Sequence, residues 1–203
     1  NKKFSSYILK LNEKNQIETN VKGMKYELMP NYVLNLNDKY EIIKSRFSSN
    51  TSRNLNKALK NNLHIKDVDV NDIIKLEREN TQFPLKAFHY RILSNLLNNA
   101  VKHKMYFKTG VYDSQNNLLA AVFFMNAFGR SIYLIPVSSE KGKELRAMFF
   151  LVNDLIKNNS EKNLLLDFEG SSIEGVATFY KGFGAVNCPY PKISGKKKLS
   201  ILF

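Results

Sequence analysis

Apolar residues recur along this chain with two different spacings, and the switches between them mark out the elements. Residues 4–11, FSSYILKL, alternate loosely and predict a strand. Polar NEKNQIETN follows as a loop. Residues 26–36, YELMPNYVLNL, predict a second extended stretch interrupted at Pro30, since a proline cannot donate to a sheet ladder. From Thr51 or Ser52, either of which can cap a helix, Leu55, Ala58, Leu59 and Leu63 form one helical stripe, and Arg53, Lys57 and Lys60 share another face. KDVDVND at 66–72 reads as a boundary. Beyond it the spacing predicts a short helix over NDIIKLEREN and a longer one over 85–103, with Phe88, Ile92, Leu93, Leu96, Leu97, Ala100 and Val101 on its inner side. Strands at 105–112, 118–126 and 131–137, separated by DSQNN and NAFGR, predict an antiparallel meander. One long helix starts near Ser139, with Leu145, Met148, Phe149, Val152, Leu155 and Ile156 facing the core. Residues 163–168 are so continuously apolar that both faces of that strand should be covered. Residues 174–182 read as a helix. The tail after Asn187 is extended, and GKKK at 195–198 is a turn or a solvated edge. The order predicts an α/β (α+β) domain with a mixed sheet flanked by helices.

Composition changes this picture little. The 203 residues suit one large domain, or one domain and part of another. Hydrophobic content of 43% and charged content of 24% are ordinary for a globular protein. No apolar run approaches the ~18 residues of a membrane-spanning helix, and no leader pattern opens the chain. The one cysteine, Cys188, excludes an internal disulfide and fits a reducing, cytoplasmic setting. The net charge of +13 favours anionic partners such as nucleic acid. Asparagine is about as abundant as lysine, however, so a codon bias alone also accounts for the lysines.

Two stretches carry candidate chemistry. In LLLDFEGSSIEG an apolar strand ends in Asp167 and Glu169, which period-two geometry puts on one face. Acids at the carboxyl end of a strand can meet a ligand, and Glu169, nearer the end, is the better general base. Both also fit a structural role, Asp167 holding backbone donors and Glu169 capping the next helix. In VSSEKGKELRA the unpaired amides of a helix start, with Ser138, Ser139, Lys141, Gly142 and Lys143, can hold phosphate; an ordinary capped helix with solvated lysines fits as well. Tyr180 can give a proton to a leaving group, or simply pack with a wet tip. His64, His89 and His103 lack metal-ligand spacing, so no metal is expected. No nucleophile elbow, Walker motif or G-x-G-x-x-G is present. What remains is transfer by proximity.

The order of elements after Val70, with ATFYKGFGA, resembles the GNAT acyltransferase superfamily, many members of which carry a tyrosine four residues before a glycine, as Tyr180 and Gly184 stand here. The resemblance implies that Tyr180 protonates the leaving group and that SSEKGKELRA is the pyrophosphate loop. Gly142 fits that loop's pattern, while Ser139 and Glu144 depart from it. Ile173 stands where the family often has asparagine. NYVLNLNDKYEIIKSRFSSNTSRNLNKALK and LDFEGSSIEGVATFYKGFGA are similar to passages of the Fem-type branch, the FemAB-like aminoacyltransferases of peptidoglycan synthesis and their bacterial relatives. That implies a GNAT-like, mostly antiparallel sheet at 66–203, preceded at 1–65 by the remnant of a first GNAT-like domain. It implies an N-acyltransferase with acyl-CoA (acetyl-CoA) or aminoacyl-tRNA as donor, an amine of unspecified identity as acceptor, and tRNA as a possible partner of Arg53, Lys57 and Lys60. An inactive scaffold that binds RNA or another anion is the alternative.

Overall fold

The computed structural model describes residues 6–15, 17, 23–81, 84–170 and 173–196. Parts of four sequence expectations lie outside these residues: the strand start at 4–5, much of the loop at 12–20, the serines at 171–172 and the lysines at 197–198. The first elements are β1 (Ser6–Lys10), β2 (Met24–Met29), β3 (Tyr32–Asn35), α1 (Tyr40–Ser45), α2 (Ser49–Ala58) and β4 (His64–Lys66). There follow α3 (Val70–Asn80), α4 (Ala87–Lys102), β5 (Tyr106–Tyr112), β6 (Leu118–Ala127) and β7 (Arg130–Ser138). The chain continues with α5 (Glu140–Glu144), α6 (Ala147–Asn159), β8 (Leu165–Asp167), α7 (Glu174–Gly182), β9 (Val186–Asn187) and β10 (Tyr190–Lys196).

Seven strands form one sheet in the order β4-β5-β6-β7-β8-β3-β9, and three form a second, β1-β10-β2. Every pairing is antiparallel except β7 with β8. The meander β5-β6-β7 has the connectivity its turn residues predict. In its first turn Asp113 accepts from the backbone amides of Gln115 and Asn117 at 3.0 and 2.9 Å. The break at Pro30 is also present and separates strands of different sheets: β2 pairs β10, while β3 lies between β8 and β9. The segment before residue 66 therefore shares a sheet and a core with the segment after it.

Both faces of the large sheet are covered. On one, Leu34, Leu36, Val122, Phe124, Leu166 and Phe168 pack with Leu55 of α2, Leu151, Val152 and Ile156 of α6, and Ala177 and Tyr180 of α7. On the other, Ala121, Phe123 and Val137 pack with Ile73 and Leu76 of α3 and Leu97 of α4. β8 itself packs into the core on one face, through Leu166 with Phe168 just past its end, while on its other face Asp167 lines a polar cavity, so the expected cover on both faces is not present there.

The structure corrects the sequence expectations in several places. α2 is capped by Ser48, whose hydroxyl accepts from the Thr51 amide, rather than by Thr51 or Ser52. Leu59 falls past the end of α2 and is exposed. α1 and β4 had no clear periodicity in so few residues. The single helix expected from Ser139 is two, because Arg146 takes a left-handed φ of 60° between α5 and α6. On α4, Leu97 and Ala100 are buried as expected, but Phe88, Ile92 and Leu96 are exposed.

Candidate functional site

β8 ends at Asp167, and two residues later Glu169 adopts φ +59°, a left-handed conformation that a residue with a Cβ rarely takes. Two hydrogen bonds hold it there. Its N–H donates to Asp167 Oδ1 at 2.8 Å, and its carbonyl accepts from the Tyr32 N–H at 3.1 Å. Gly170 follows because nothing larger passes: a Cβ there would lie 2.0 Å from the Pro30 carbonyl oxygen. The Glu-Gly order is thus fixed by the approach of the β2–β3 link to the end of β8.

Asp167 is buried and ion-paired with Arg130 at 2.7 Å, and Arg130 also pairs with Glu13. Lys10, Glu13, Asn31, Arg130, Asp167 and Glu169 line a cavity of about 320 Å³. Within it Asp167 and Glu13 share the Arg130 guanidinium, while Glu169 has no ion pair among the described residues. Burial, and then the negative charge of Asp167, raise the Glu169 carboxyl above its ordinary value, and Lys10 offsets part of the rise. The expectation that both acids face one way is met, since both line this cavity, although Glu169 does so from a turn rather than the strand. The helix that follows has Ile173 as its N-cap, four residues beyond Glu169.

A second cavity, of about 350 Å³, lies on the opposite face of the sheet. Its lining includes Tyr133, Ser138, Gly142, Lys143, Arg146, Phe149, Val176, Phe179 and Tyr180. It occupies the wedge where β7 leaves β8. The two strands pair only over Arg130–Ile132 and Leu165–Asp167, and β7 runs on to Ser138. A bulge puts the extra residue, Leu134, just past the paired part, and such a bulge bends a strand away from its neighbour. The Tyr180 ring is buried, stacked on Phe168 with centroids 4.8 Å apart and edge-on to Tyr133 at 6.0 Å. Its packing and chemical readings are therefore compatible. Burial first, and the charge of Glu169 second, push its phenol up to about 12. Glu169 and Tyr180 line different cavities, on the two faces of the sheet.

The structure redistributes the expected phosphate loop. Gly142 is buried, its N–H donates to Ser139 Oγ at 3.0 Å, and a Cβ there would lie 2.0 Å from the Leu119 carbonyl oxygen. The glycine lets α5 sit on β6; its amide is already spent. Lys141 pairs with Asp113 and Lys143 with Glu140. Of the five expected residues, Ser138, Gly142 and Lys143 line the cavity, whereas Ser139 and Lys141 do not. Open donors lie one turn later: the Ala147 and Met148 amides begin α6 without an acceptor among the described residues. Arg146 beside them has a buried Nε with no partner.

Arg53, Lys57 and Lys60 are exposed on and just beyond α2 and line neither cavity. Cys188 is a free thiol. Among the described residues no group of His, Cys, Asp and Glu could hold a metal, and no helix is long and apolar enough to cross a membrane. Sequence reasoning missed Lys10, Glu13, Arg130 and Arg146. Lys10 and Glu13 share one segment and Arg130 lies more than 100 residues away, so no local spacing relates the arginine to them. Arg146 carried a signal only in being a lone cation just ahead of AMFF.

No family model matches this chain, and no curated protein matches it either. Solved structures do. FemX superimposes with a TM-score of 0.66 at 13% identity, over 86% of this chain and 64% of its own. The fold is GNAT-like and similar to that of FemX. A functionally unknown conserved protein from Staphylococcus epidermidis shares the GNAT-like arrangement at a TM-score of 0.58 and 10% identity, over 95% of this chain and 73% of its own. L-PGS from Bacillus licheniformis does so at 0.53 and 11%, over 88% and 64%. This chain thus spans just under two thirds of FemX and of L-PGS.

Proposed function

We propose that this chain is an N-acyltransferase that moves an acyl or aminoacyl group onto an amine by direct attack in a ternary complex. One arrangement carries the reading: β7 and β8 part beside the buried Tyr180 phenol, and the turn that ends β8 carries Glu169, a carboxylate raised by burial, each residue lining its own cavity. The acidic cavity suits a cationic amine, and the apolar one suits the donor chain. Arg146, Lys143 and the opening amides of α6 suit donor phosphates.

The chemistry follows from those roles. Glu169 removes a proton from the acceptor ammonium, and the freed amine attacks the donor carbonyl carbon. The tetrahedral intermediate collapses as Tyr180 gives its proton to the departing oxygen or sulfur, and the second proton on the attacking nitrogen is lost through solvent, which reprotonates the phenolate and leaves the neutral amide. A phenol raised by burial stays protonated and ready to donate, to a departing thiolate or to the sugar alkoxide that leaves an aminoacyl ester. Both acyl-CoA and aminoacyl-tRNA therefore fit as donors, and Arg53, Lys57 and Lys60 would contact tRNA phosphates in the second case.

Thermal shift of the full-length protein against charged tRNA, acetyl-CoA and long-chain acyl-CoA tests this. A donor at 100 times its Kd adds about 2.7 kcal/mol of stability. A shift with charged tRNA only supports the aminoacyl reading, and one with a CoA ester only moves the donor to acyl-CoA. No shift with any of them removes the proposal. The net charge of +13 favours one rival, a scaffold that binds RNA without chemistry; steeply salt-dependent tRNA binding with no turnover would identify it.

A further inference from the structure

Three large exposed apolar residues share one face of a single helix. α4 buries Tyr90, Leu97 and Ala100, while Phe88, Ile92 and Leu96 are 57%, 49% and 48% exposed on its other side. Their four-residue spacing makes them one stripe. α4 carries no acid, and its ends and outer side hold Lys86, Arg91, Lys102 and Lys104. Beside the stripe, between α3 and α4, lies a groove of about 510 Å³ whose lining contains Lys75, Arg78 and Arg91 against Glu79. Arg91 belongs to both features: it lines the groove and its guanidinium carbon is 5.3 Å from the Phe88 ring centre. Arg78 is held 4.8 Å over the Tyr90 ring, so one cation of the groove is ordered in advance.

We propose that the α3–α4 face docks on an anionic lipid surface. Phe88, Ile92 and Leu96 enter the boundary between headgroups and acyl chains, and Lys75, Arg78 and Arg91 receive headgroup phosphate. The two features together select this partner. An RNA backbone satisfies the cations but leaves three large apolar side chains with nothing to bury them. A purely apolar protein surface satisfies the stripe but strands the cations. An anionic bilayer offers acyl chain and phosphate a few ångströms apart, which is what an interfacial amphipathic helix requires. The chain's charge of +13 adds long-range attraction of the right sign. This inference is independent of the transferase reading.

Cosedimentation of the full-length protein with extruded vesicles tests it, comparing phosphatidylcholine alone with a mixture containing about one third phosphatidylglycerol. The expected result is partitioning about tenfold stronger into the anionic vesicles, weakened by high salt. The Phe88→Ser/Ile92→Ser and Arg78→Glu/Arg91→Glu variants should each lose about tenfold, with melting temperatures close to the parent's. Equal partitioning into neutral vesicles overturns the proposal. So does undiminished binding by Phe88→Ser/Ile92→Ser, or full release from anionic vesicles by millimolar inorganic phosphate. Binding of bulk tRNA that Arg78→Glu/Arg91→Glu abolishes, in a protein that leaves anionic vesicles unbound, assigns the face to RNA and overturns it equally.

Discussion

Glu169 occupies a backbone conformation that costs a residue with a Cβ about 1–2 kcal/mol, and it does so at the end of the strand carrying the other candidate acid. Strain of this kind persists where surrounding bonds over-determine it, and it collects at functional sites. Glu169→Gly should therefore raise the unfolding free energy by about 1 kcal/mol while abolishing transfer; a urea melt and a turnover assay on one preparation check both. Glu169→Gln should lower kcat by about 100-fold or more. In the parent protein the base works only when ionised, so the rate should fall as pH drops through a pKa above the ordinary carboxylate value. That limb should vanish in the Gln variant, and a pH–rate profile in which it survives excludes Glu169 as the base. Tyr180→Phe should slow transfer with its melting temperature nearly retained, because the ring stack on Phe168 is untouched. These residues were visible in the sequence as acids ending an apolar run and as a tyrosine before a glycine. The left-handed turn was not, because it is imposed by the Pro30 carbonyl and the Tyr32 amide, some 140 residues away in sequence.

At the scale of elements, the agreement is best where period and turn chemistry act locally. The bounds of α7 and the three strands of the meander follow from residues within a few positions of each other. α5 and α6 show the limit. The apolar spacing runs on from Leu145 to Ile156, yet Gly142 must seat α5 against the Leu119 carbonyl and Arg146 then breaks the helix. Lys141 reads in sequence as a phosphate ligand, but it clamps α5 to the β5–β6 turn through Asp113 at 2.7 Å. Lys141 first and Asn117 next hold the Asp113 carboxyl well below its ordinary value. The stability it contributes is therefore present above the unfolded value, about 3.9, and is lost as pH falls toward the depressed folded value. Asp113→Asn should lower the melting temperature at pH 7, with the difference from the parent shrinking as pH falls below about 4. A difference that stays constant from pH 7 to pH 2 would show that the clamp is not electrostatic.

Across the whole molecule, one ion-paired cluster joins the two sheets. Glu13, just past β1, meets Arg130 on β7, which meets Asp167 on β8. Arg130→Met leaves two acids without their partner, one of them buried, and should cost about 3 kcal/mol or more, read as a lower urea midpoint at unchanged slope. Activity should fall with it, since the same guanidinium shapes the acidic cavity. An Arg130→Met protein of parental stability would mean that the sheets are held together by other contacts.

The chain's own periodicities settled its class, the order of its longer helices and strands, the antiparallel meander and the acid-tipped strand, because helix stripes, strand alternation and turn residues act over a few neighbouring positions. Tertiary structure alone decided that β3 enters the sheet between β8 and β9, that Arg130 neutralises two acids, and that α4 turns half its apolar residues outward. It also decided that the acids and the phenol open onto opposite faces of one sheet. Each of these depends on which distant segment occupies the neighbouring space, and no spacing along a chain encodes that: the same stripe of leucines is core or surface according to what arrives to cover it.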